Sequence, residues 1–371
     1  MAKHETTHIR TTLASPIAGV LMTIACCPAA QGSGPAPDGR IEQFIAVDNV
    51  CAWPNLTVLP NGEIAAAIFN RPHHGTNEGD VEVWASADGG KLWEFRGTAT
   101  SRDPGTNRMN VAAGLAHNGD LIVISSGWSG DGWRPGPTPR GVSLLPMVSR
   151  SKDGGRTWQR SLDVTLPEGI RNLIPYGRII QGEGQVLAAS FYSRGAYVLF
   201  SKDDGLTWGD AIPITNDNYN ETTLLKTRSG RWLAAARAYN QPPDGARSMF
   251  WAHLQLFSSD DEGRSWQDDG PLTLPSSHPA DLRQLADGRI LLTYGIRERG
   301  HFGIGMRTSV DDGKTWNPPT RIINLEGTTD GGYPSTIQLT DGSLVTAYYS
   351  NWVAQHQRYH MGVVRWPLPP H

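Results

Sequence analysis

Short apolar runs separated by tight turns recur along the chain and predict β-strands. Six segments share one pattern, in which an apolar strand, a turn with glycine and a second apolar strand follow one another; "NGDLIVISS" and "DGRILLTYG" show the turn and the second strand. Five of the six lead into a further strand-like run, such as "VEVWAS", "AYVLFS" or "LQLFS". Apolar runs of this length between turn signals are typical of strands, so the pattern predicts an all-β fold.

The turn glycines of these hairpins align the six repeats. They are Gly62, Gly119, Gly184, Gly230, Gly288 and Gly342. Nine residues before each glycine the first strand begins, with Trp53, Asn110, Pro175, Glu221, Pro279 and Tyr333 in turn. Because each repeat is one supersecondary unit, these six positions should be spatially equivalent.

A second repeat, Ser-x-Asp-x-Gly-x-(Thr/Ser)-Trp, follows five of the hairpins. Its copies begin at Ser86, Ser151, Ser201, Ser259 and Ser309. The first copy alone departs from the pattern, with Leu92 in place of the hydroxyl residue. We expect the aspartate to accept hydrogen bonds from turn amides and the tryptophan to pack between sheets, so these boxes are interpreted as structural.

Six four-stranded units predict a six-bladed β-propeller over residues 41–367, in which the first strand of each blade lines a central channel. The beginnings of those strands meet at one rim, which is the predicted functional site. The last repeat lacks a box, but "YHMGVVRW" supplies its third strand and "IEQFIAVDNV" supplies its outer strand. This pairing would close the ring and remove exposed sheet edges.

Composition and charge limit the classes of ligand and partner that the chain is expected to bind. The 42 Gly, 26 Pro and 13 Trp, with 19% charged residues, suit many short strands joined by turns. The net charge is -3 without a basic cluster, so no nucleic-acid partner is expected. The histidines lack metal-ligand spacing and no phosphate-binding glycine loop is present, so neither a metal nor a cofactor is expected.

Residues 1–35 are interpreted as an export segment with a linker. An apolar stretch from Leu13 to Cys27 follows Lys3 and Arg10, which resembles a secretory signal and is too short for a membrane span. The expected location is periplasmic, extracellular or anchored to the envelope, with Cys26 as the candidate lipid-modified cysteine. Cys51 is the cysteine that remains, and it is predicted to be a buried small hydrophobe.

From about residue 45 to residue 367, the hairpins and boxes resemble the bacterial sialidase (neuraminidase) superfamily with its Asp-box, or BNR, repeats. Glu221 and Arg237 in "NETTLLKTRSGRWLAAAR" match the glutamate and the substrate-binding arginine of that family. Tyr333 in "GYPST" matches the family's tyrosine nucleophile, and the resemblance implies that Glu221 is its base. A neutral phenol avoids repulsion from the sialoside carboxylate, and its ordinary pKa of about 10 requires such a base.

The resemblance also implies a general acid on the loop "FNRPHHGTNEGDVEVWAS". Asp80 fits by residue type and Glu78 by its position farther out on the loop, while Arg71 matches a family arginine nearby. The loop histidines His73 and His74 could bind sugar or transfer protons, although loop histidines are more often bystanders.

Sialidases bind the substrate carboxylate with three arginines, whose planar guanidinium suits bidentate recognition. Trp53 stands where the first arginine is expected, and it offers instead an apolar face for a sugar ring. Arg237 matches the second arginine, and Asn110 is a further rim candidate. The third position has three candidates, Arg297, Arg299 and His301.

Together these residues predict an exported, sialidase-like retaining exo-glycosidase that acts on a terminal acidic sugar of a glycan or glycoconjugate. A propeller hydrolase or lyase for another acidic, uronate-type glycan fits the same residues, and so does a non-catalytic glycan-binding propeller. The sequence leaves the sugar, its linkage and the oligomeric state open.

Overall fold

The fold is all-β in the part of the chain that the structure describes. A computed structural model describes residues 40–75, 78–129, 141–239, 251–326, 330–354 and 356–368. Within those ranges there are 24 strands and no α-helix. The predicted all-β class is confirmed, whereas the interpreted export segment, residues 1–35, lies outside the described residues together with Cys26.

The first three repeats form antiparallel meanders of four strands. The first meander contains β2 (Asn55–Val58), β3 (Ile64–Phe69), β4 (Val81–Ser86) and β5 (Glu94–Thr100). The second contains β6 (Asn110–Leu115), β7 (Leu121–Ser126), β8 (Met147–Ser151) and β9 (Gln159–Ser161). The third contains β10 (Ile174–Gln181), β11 (Leu187–Tyr192), β12 (Ala196–Ser201) and β13 (Gly209–Pro213). Parallel pairing of β6 with β10 joins the second and third meanders into one eight-stranded sheet, where separate blades were expected.

The other three repeats form separate four-stranded sheets. The fourth meander contains β14 (Tyr219–Lys226), β15 (Trp232–Ala238), β16 (His253–Ser259) and β17 (Gln267–Pro271). The fifth contains β18 (Ser277–Gln284), β19 (Ile290–Ile296), β20 (Gly303–Ser309) and β21 (Thr320–Asn324). The sixth contains β22 (Gly331–Gln338), β23 (Leu344–Ser350), β24 (His360–Trp366) and β1 (Glu42–Asp48). The antiparallel pairing of β1 with β24 confirms that the N-terminal strand completes the last repeat.

Apolar cores lie between neighbouring meanders, which makes the arrangement propeller-like. The first strands of successive meanders contact one another, and β22 contacts β2, where the Leu56 N–H donates to Ser335 Oγ at 2.9 Å. The core between the last and first meanders contains Phe69 and Tyr349. Cys51 is buried in that core, as predicted, and burial raises the pKa of its thiol.

The Asp boxes form the turns between the third and fourth strands of five meanders, as the sequence predicted. In the second box, Asp153 Oδ1 accepts hydrogen bonds from the backbone N–H groups of Arg156 and Thr157 at 3.0 and 2.9 Å. Thr157 Oγ1 donates to Asp153 Oδ2 at 2.6 Å, and the Trp158 indole donates to the Gly155 carbonyl at 3.0 Å. These bonds pair the polar groups of the turn with one another, so the boxes stabilise the connection between two strands. The boxes do not line the cavity described next.

Candidate active site

One cavity of about 580 Å³ opens where the first strands of the meanders begin. Four of the six strand-start positions aligned by the repeats line this cavity, namely Trp53, Asn110, Glu221 and Tyr333. The other two strand starts contribute the neighbouring residues Tyr176 and Ala280. The repeat alignment therefore identified where the cavity lies.

β-Bulges at the starts of β14 and β22 bring Glu221 and Tyr333 to this cavity. In β22, Tyr333 and Pro334 together face one residue of β23, and in β14 the bulge sets Glu221 opposite Arg237. A bulge bends the strand and re-aims a side chain without ending the sheet. Tyr333 has a φ of 53°, in the left-handed region that non-glycine residues rarely adopt, and such backbone is concentrated at functional sites.

Tyr333, Glu221 and Arg237 form one buried hydrogen-bonded group. The Tyr333 hydroxyl donates to Glu221 Oε1 at 2.5 Å, and Arg237 Nη1 donates to Glu221 Oε2 at 2.6 Å. The three residues are 9%, 7% and 3% exposed. Burial and the Glu221 charge raise the pKa of Tyr333 well above its ordinary value, while Arg237 and Arg297 act in the opposite direction. The phenol is thus neutral and directed at a carboxylate that can take its proton.

Two buried guanidinium groups supply positive charge to the cavity. Burial disfavours the charge of Arg237, but Glu221 outweighs it and the pKa of Arg237 is raised. Arg297 lies over the Tyr333 ring, with Cζ 5.2 Å from the ring centre, and its Nη2 donates to the Gly331 carbonyl at 3.0 Å. The Nε atoms of both arginines are buried without a hydrogen-bond partner in the described structure. Two guanidinium groups that line one cavity suit an anionic ligand.

A second hydrogen-bonded group, which the sequence did not reveal, centres on Asp330. Its Oδ1 contacts His74 Nδ1 at 2.8 Å and accepts a hydrogen bond from the Tyr349 hydroxyl at 2.6 Å. Its Oδ2 accepts a hydrogen bond from the Tyr359 hydroxyl. Burial would raise the pKa of Asp330, but these bonds outweigh it and hold that pKa well below its usual range. The one available signal was its place three residues before Tyr333.

An ion pair that the sequence analysis also missed involves Asp281, which lines the cavity, and Arg178. Arg178 donates to Asp281 twice, through Nε to Oδ1 at 3.0 Å and through Nη2 to Oδ2 at 2.8 Å. The backbone N–H of Thr336 donates to the same carboxylate at 2.6 Å. The pair links β10, β18 and β22, and so fixes the strands that carry the cavity residues.

Trp53 and Asn110 line the cavity as predicted. The Trp53 indole stands edge-on to the rings of His74, Tyr349 and Tyr333, with centroids 4.9, 5.6 and 6.2 Å apart. Asn110 begins β6, and its side-chain oxygen is buried without a partner in the described structure. Both residues are therefore part of the cavity wall.

Five other predicted site residues are not among those that line the cavity. Arg102 holds two of them, through Nη1 to Asp80 Oδ2 at 2.6 Å and through Nε to Glu78 Oε2 at 3.1 Å. The other three, Arg71, Arg299 and His301, are exposed. Of the three candidates for the third arginine, the structure brings Arg297 to the site. The roles assigned to the five residues remain predictions.

A family model described as a BNR repeat-like domain matches residues 62–346. The chain belongs to this BNR repeat-like family. Two curated relatives are sialidases, one from Clostridium perfringens and one from Bacteroides fragilis (strain YCH46). The first is 22% identical over 244 residues, which is 59% of this chain and 61% of that protein. The second is 22% identical over 318 residues, which is 74% of this chain and 54% of that protein, so the matches span about three fifths and just over half of these relatives.

Solved structures share the fold of this chain. A Dyadobacter fermentans protein of unknown function has a TM-score of 0.71 and 24% identity, with 88% of this chain and 99% of that chain covered. The NanB sialidase of Streptococcus pneumoniae has a TM-score of 0.67 and 12% identity, with 91% and 70% covered. The BNR-repeat protein is thus similar in sequence to these sialidases and shares its fold with the NanB sialidase.

Two further features of the described residues concern metal binding and membrane spans. No cluster of three or more histidine, cysteine, aspartate or glutamate side chains with metal-binding geometry occurs among them. Nor do those residues contain a helix that is long and apolar enough to span a membrane.

Proposed function

We propose that this BNR-repeat protein is a sialidase-like retaining exo-glycosidase that removes a terminal acidic sugar from a glycan or glycoconjugate. The hydrogen bond of 2.5 Å between Tyr333 and Glu221, beside Arg237 in the cavity, carries the proposal. The sialidase relatives support the same class. In this proposal the six meanders are the blades of a six-bladed propeller, residues 41–367, and the segment before it directs export.

The proposed reaction has two displacements. In the first, Tyr333 Oη attacks the anomeric carbon while its proton passes to Glu221 Oε1, and the bond to the leaving oxygen breaks as that oxygen takes a proton from an acid. In the second, water attacks the anomeric carbon of the glycosyl–tyrosine, and Glu221 returns the proton to the departing phenolate. Two displacements retain the anomeric configuration.

The charges in the cavity suit an acidic sugar. Because Tyr333 has a raised pKa, it meets the substrate as a neutral group and does not repel a carboxylate on the anomeric carbon. Arg237 and Arg297 line the cavity and supply positive charge for that carboxylate. Trp53, in place of an arginine, offers an apolar ring face to the sugar.

The test compares the wild-type protein with the Tyr333→Phe variant on 4-nitrophenyl α-sialoside and on uronate glycosides. Removal of the nucleophile should lower kcat by about 10³-fold or more while the affinity for free sialic acid changes little. Tyr348→Phe is the matched control, because this buried tyrosine faces Tyr333 across the bulge and does not line the cavity. Its kcat should stay close to the wild-type value.

Three results would contradict this proposal or assign another function. Full turnover by Tyr333→Phe would show that Tyr333 is not the nucleophile. A product that absorbs in the near ultraviolet would reveal a new double bond and therefore a lyase that acts on a uronate. Sugar binding by the wild-type protein without turnover of any substrate would indicate a glycan-binding propeller.

A further inference from the structure

We propose that His74, oriented by Asp330, is the general acid that protonates the leaving oxygen, an inference that rests on the glycosidase function proposed above. His74 follows β3 in the first meander, and Asp330 directly precedes β22 in the last. The contact of 2.8 Å between His74 Nδ1 and Asp330 Oδ1 joins the two segments at the cavity wall. Both residues line the same cavity as Tyr333.

The carboxylates that line the cavity in the described part of the chain are already engaged as acceptors. Glu221 accepts from Tyr333 and Arg237. Asp281 accepts two hydrogen bonds from one guanidinium and a third from a backbone N–H. Asp330 contacts the imidazole and accepts from two phenols. Several donors around a carboxylate favour its charged form, which has no proton to give a leaving group.

The loop carboxylates predicted as the acid are engaged elsewhere. Asp80 accepts from both the backbone N–H and the guanidinium of Arg102, at 2.8 and 2.6 Å. Glu78 accepts from Arg102 and from the Gly105 N–H at 2.6 Å. Neither residue lines the cavity, whereas His74 on the same loop does.

The contact with Asp330 fixes which nitrogen of His74 can transfer a proton. Asp330 has a lowered pKa, so it is charged and acts as an acceptor, and the hydrogen of this contact must sit on His74 Nδ1. Nε2 is then the position at which the ring gains and loses its proton. The carboxylate on Nδ1 also holds the ring in one orientation, and imidazole is a common general acid in enzymes.

Trp53 contacts both the proposed acid and the nucleophile. Its indole contacts the His74 ring at 4.9 Å and the Tyr333 ring at 6.2 Å between centroids, so those two ring centres lie no more than 11.1 Å apart. During cleavage the proton moves from Nε2 to the leaving oxygen and leaves a neutral imidazole, and the water that hydrolyses the glycosyl–tyrosine returns a proton to Nε2.

The test measures kcat/KM for two probes, methyl α-sialoside and 4-nitrophenyl α-sialoside. Departure of an alkoxide requires protonation and departure of nitrophenolate hardly does, so the two probes separate acid catalysis from binding. His74→Gln should lower kcat/KM for the methyl sialoside by about 10²–10⁴-fold and for the nitrophenyl sialoside by less than about 10-fold. Asp330→Asn should also lower kcat/KM more for the methyl sialoside than for the nitrophenyl sialoside, but by a smaller factor.

His117→Gln is the matched control, because His117 Nδ1 contacts Asp204 at 3.0 Å outside the cavity. It should leave the ratio of the two rates unchanged, and thermal unfolding of each variant verifies that the fold persists. Equal losses on both probes in His74→Gln, or a leaving-group split in Asp80→Asn, would overturn the assignment of His74. Because Tyr333→Phe tests the nucleophile on the nitrophenyl probe, failure of the glycosidase function is recognised separately.

Discussion

The Asp-box turns and the cavity both hold hydrogen-bonded carboxylates, but the donors lie at different distances along the chain. Asp153 in a box takes its hydrogen bonds from residues three and four positions away. Glu221 in the cavity takes its bonds from Arg237, 16 residues away, and from Tyr333, 112 residues away. A carboxylate satisfied by its own turn stabilises that turn, whereas one satisfied only by distant side chains depends on the whole fold and is available for chemistry.

The largest effect should follow a change to the cavity carboxylate. Glu221→Gln keeps the size of the side chain but removes its capacity to accept the phenolic proton, so kcat on 4-nitrophenyl α-sialoside should fall by about 10²–10⁴-fold. Glu63→Gln is a suitable comparison, because Glu63 pairs with Arg96 outside the cavity. If both variants lose kcat equally, Glu221 is not the base.

The next largest effect is on the free energy of unfolding, which should fall more when a buried ion pair is broken than when an exposed one is. Arg237→Met leaves Glu221 buried without its cation and should cost about 3–5 kcal/mol. Lys202→Met should cost about 0–1 kcal/mol, because the side chains of Lys202 and its partner Asp210 are 70% and 36% exposed. Urea unfolding of the two variants measures both values, and equal losses would contradict the contrast.

The smallest effect concerns the box carboxylate and depends on pH. Burial opposes the charge of Asp153, but hydrogen bonds from Thr157 and Ser151 outweigh it and lower its pKa from 3.8 to about 2. Since the pKa is lowered on folding, the stabilisation is fully present above pH 3.8 and is lost as the pH falls through about 2. Asp153→Ala should therefore reduce the free energy of unfolding by about 1–3 kcal/mol at neutral pH, and this difference should shrink in acid.

Turnover gives the complementary readout for that variant. Asp153 lies outside the cavity, so kcat of Asp153→Ala should remain close to the wild-type value where the protein is folded. A large loss of kcat at neutral pH would mean that the boxes do more than hold turns.

Sequence reasoning found the residues that the repeats mark, named Arg237 and Arg297 through the resemblance, and missed Asp330. The hairpin alignment identified Glu221 and Tyr333 as equivalent strand starts, and the structure brings both to one cavity. It gave no reason to connect Asp330 with His74, because the two are 256 residues apart and neither lies at a repeated position. The loop carboxylate Asp80 was preferred on residue type, although Arg102 engages it away from the cavity.

The sequence by itself determined the strands, the turns and the order of the repeats, because apolar alternation, turn glycines and box aspartates act over a few residues. Only the tertiary structure decided which side chains meet in the cavity, which arginine joins Arg237 there, and which loop residue lines the same cavity. Those outcomes depend on bulges, on packing between the first and last meanders and on competing ion pairs. Such interactions join residues far apart in the chain, so no local pattern records them.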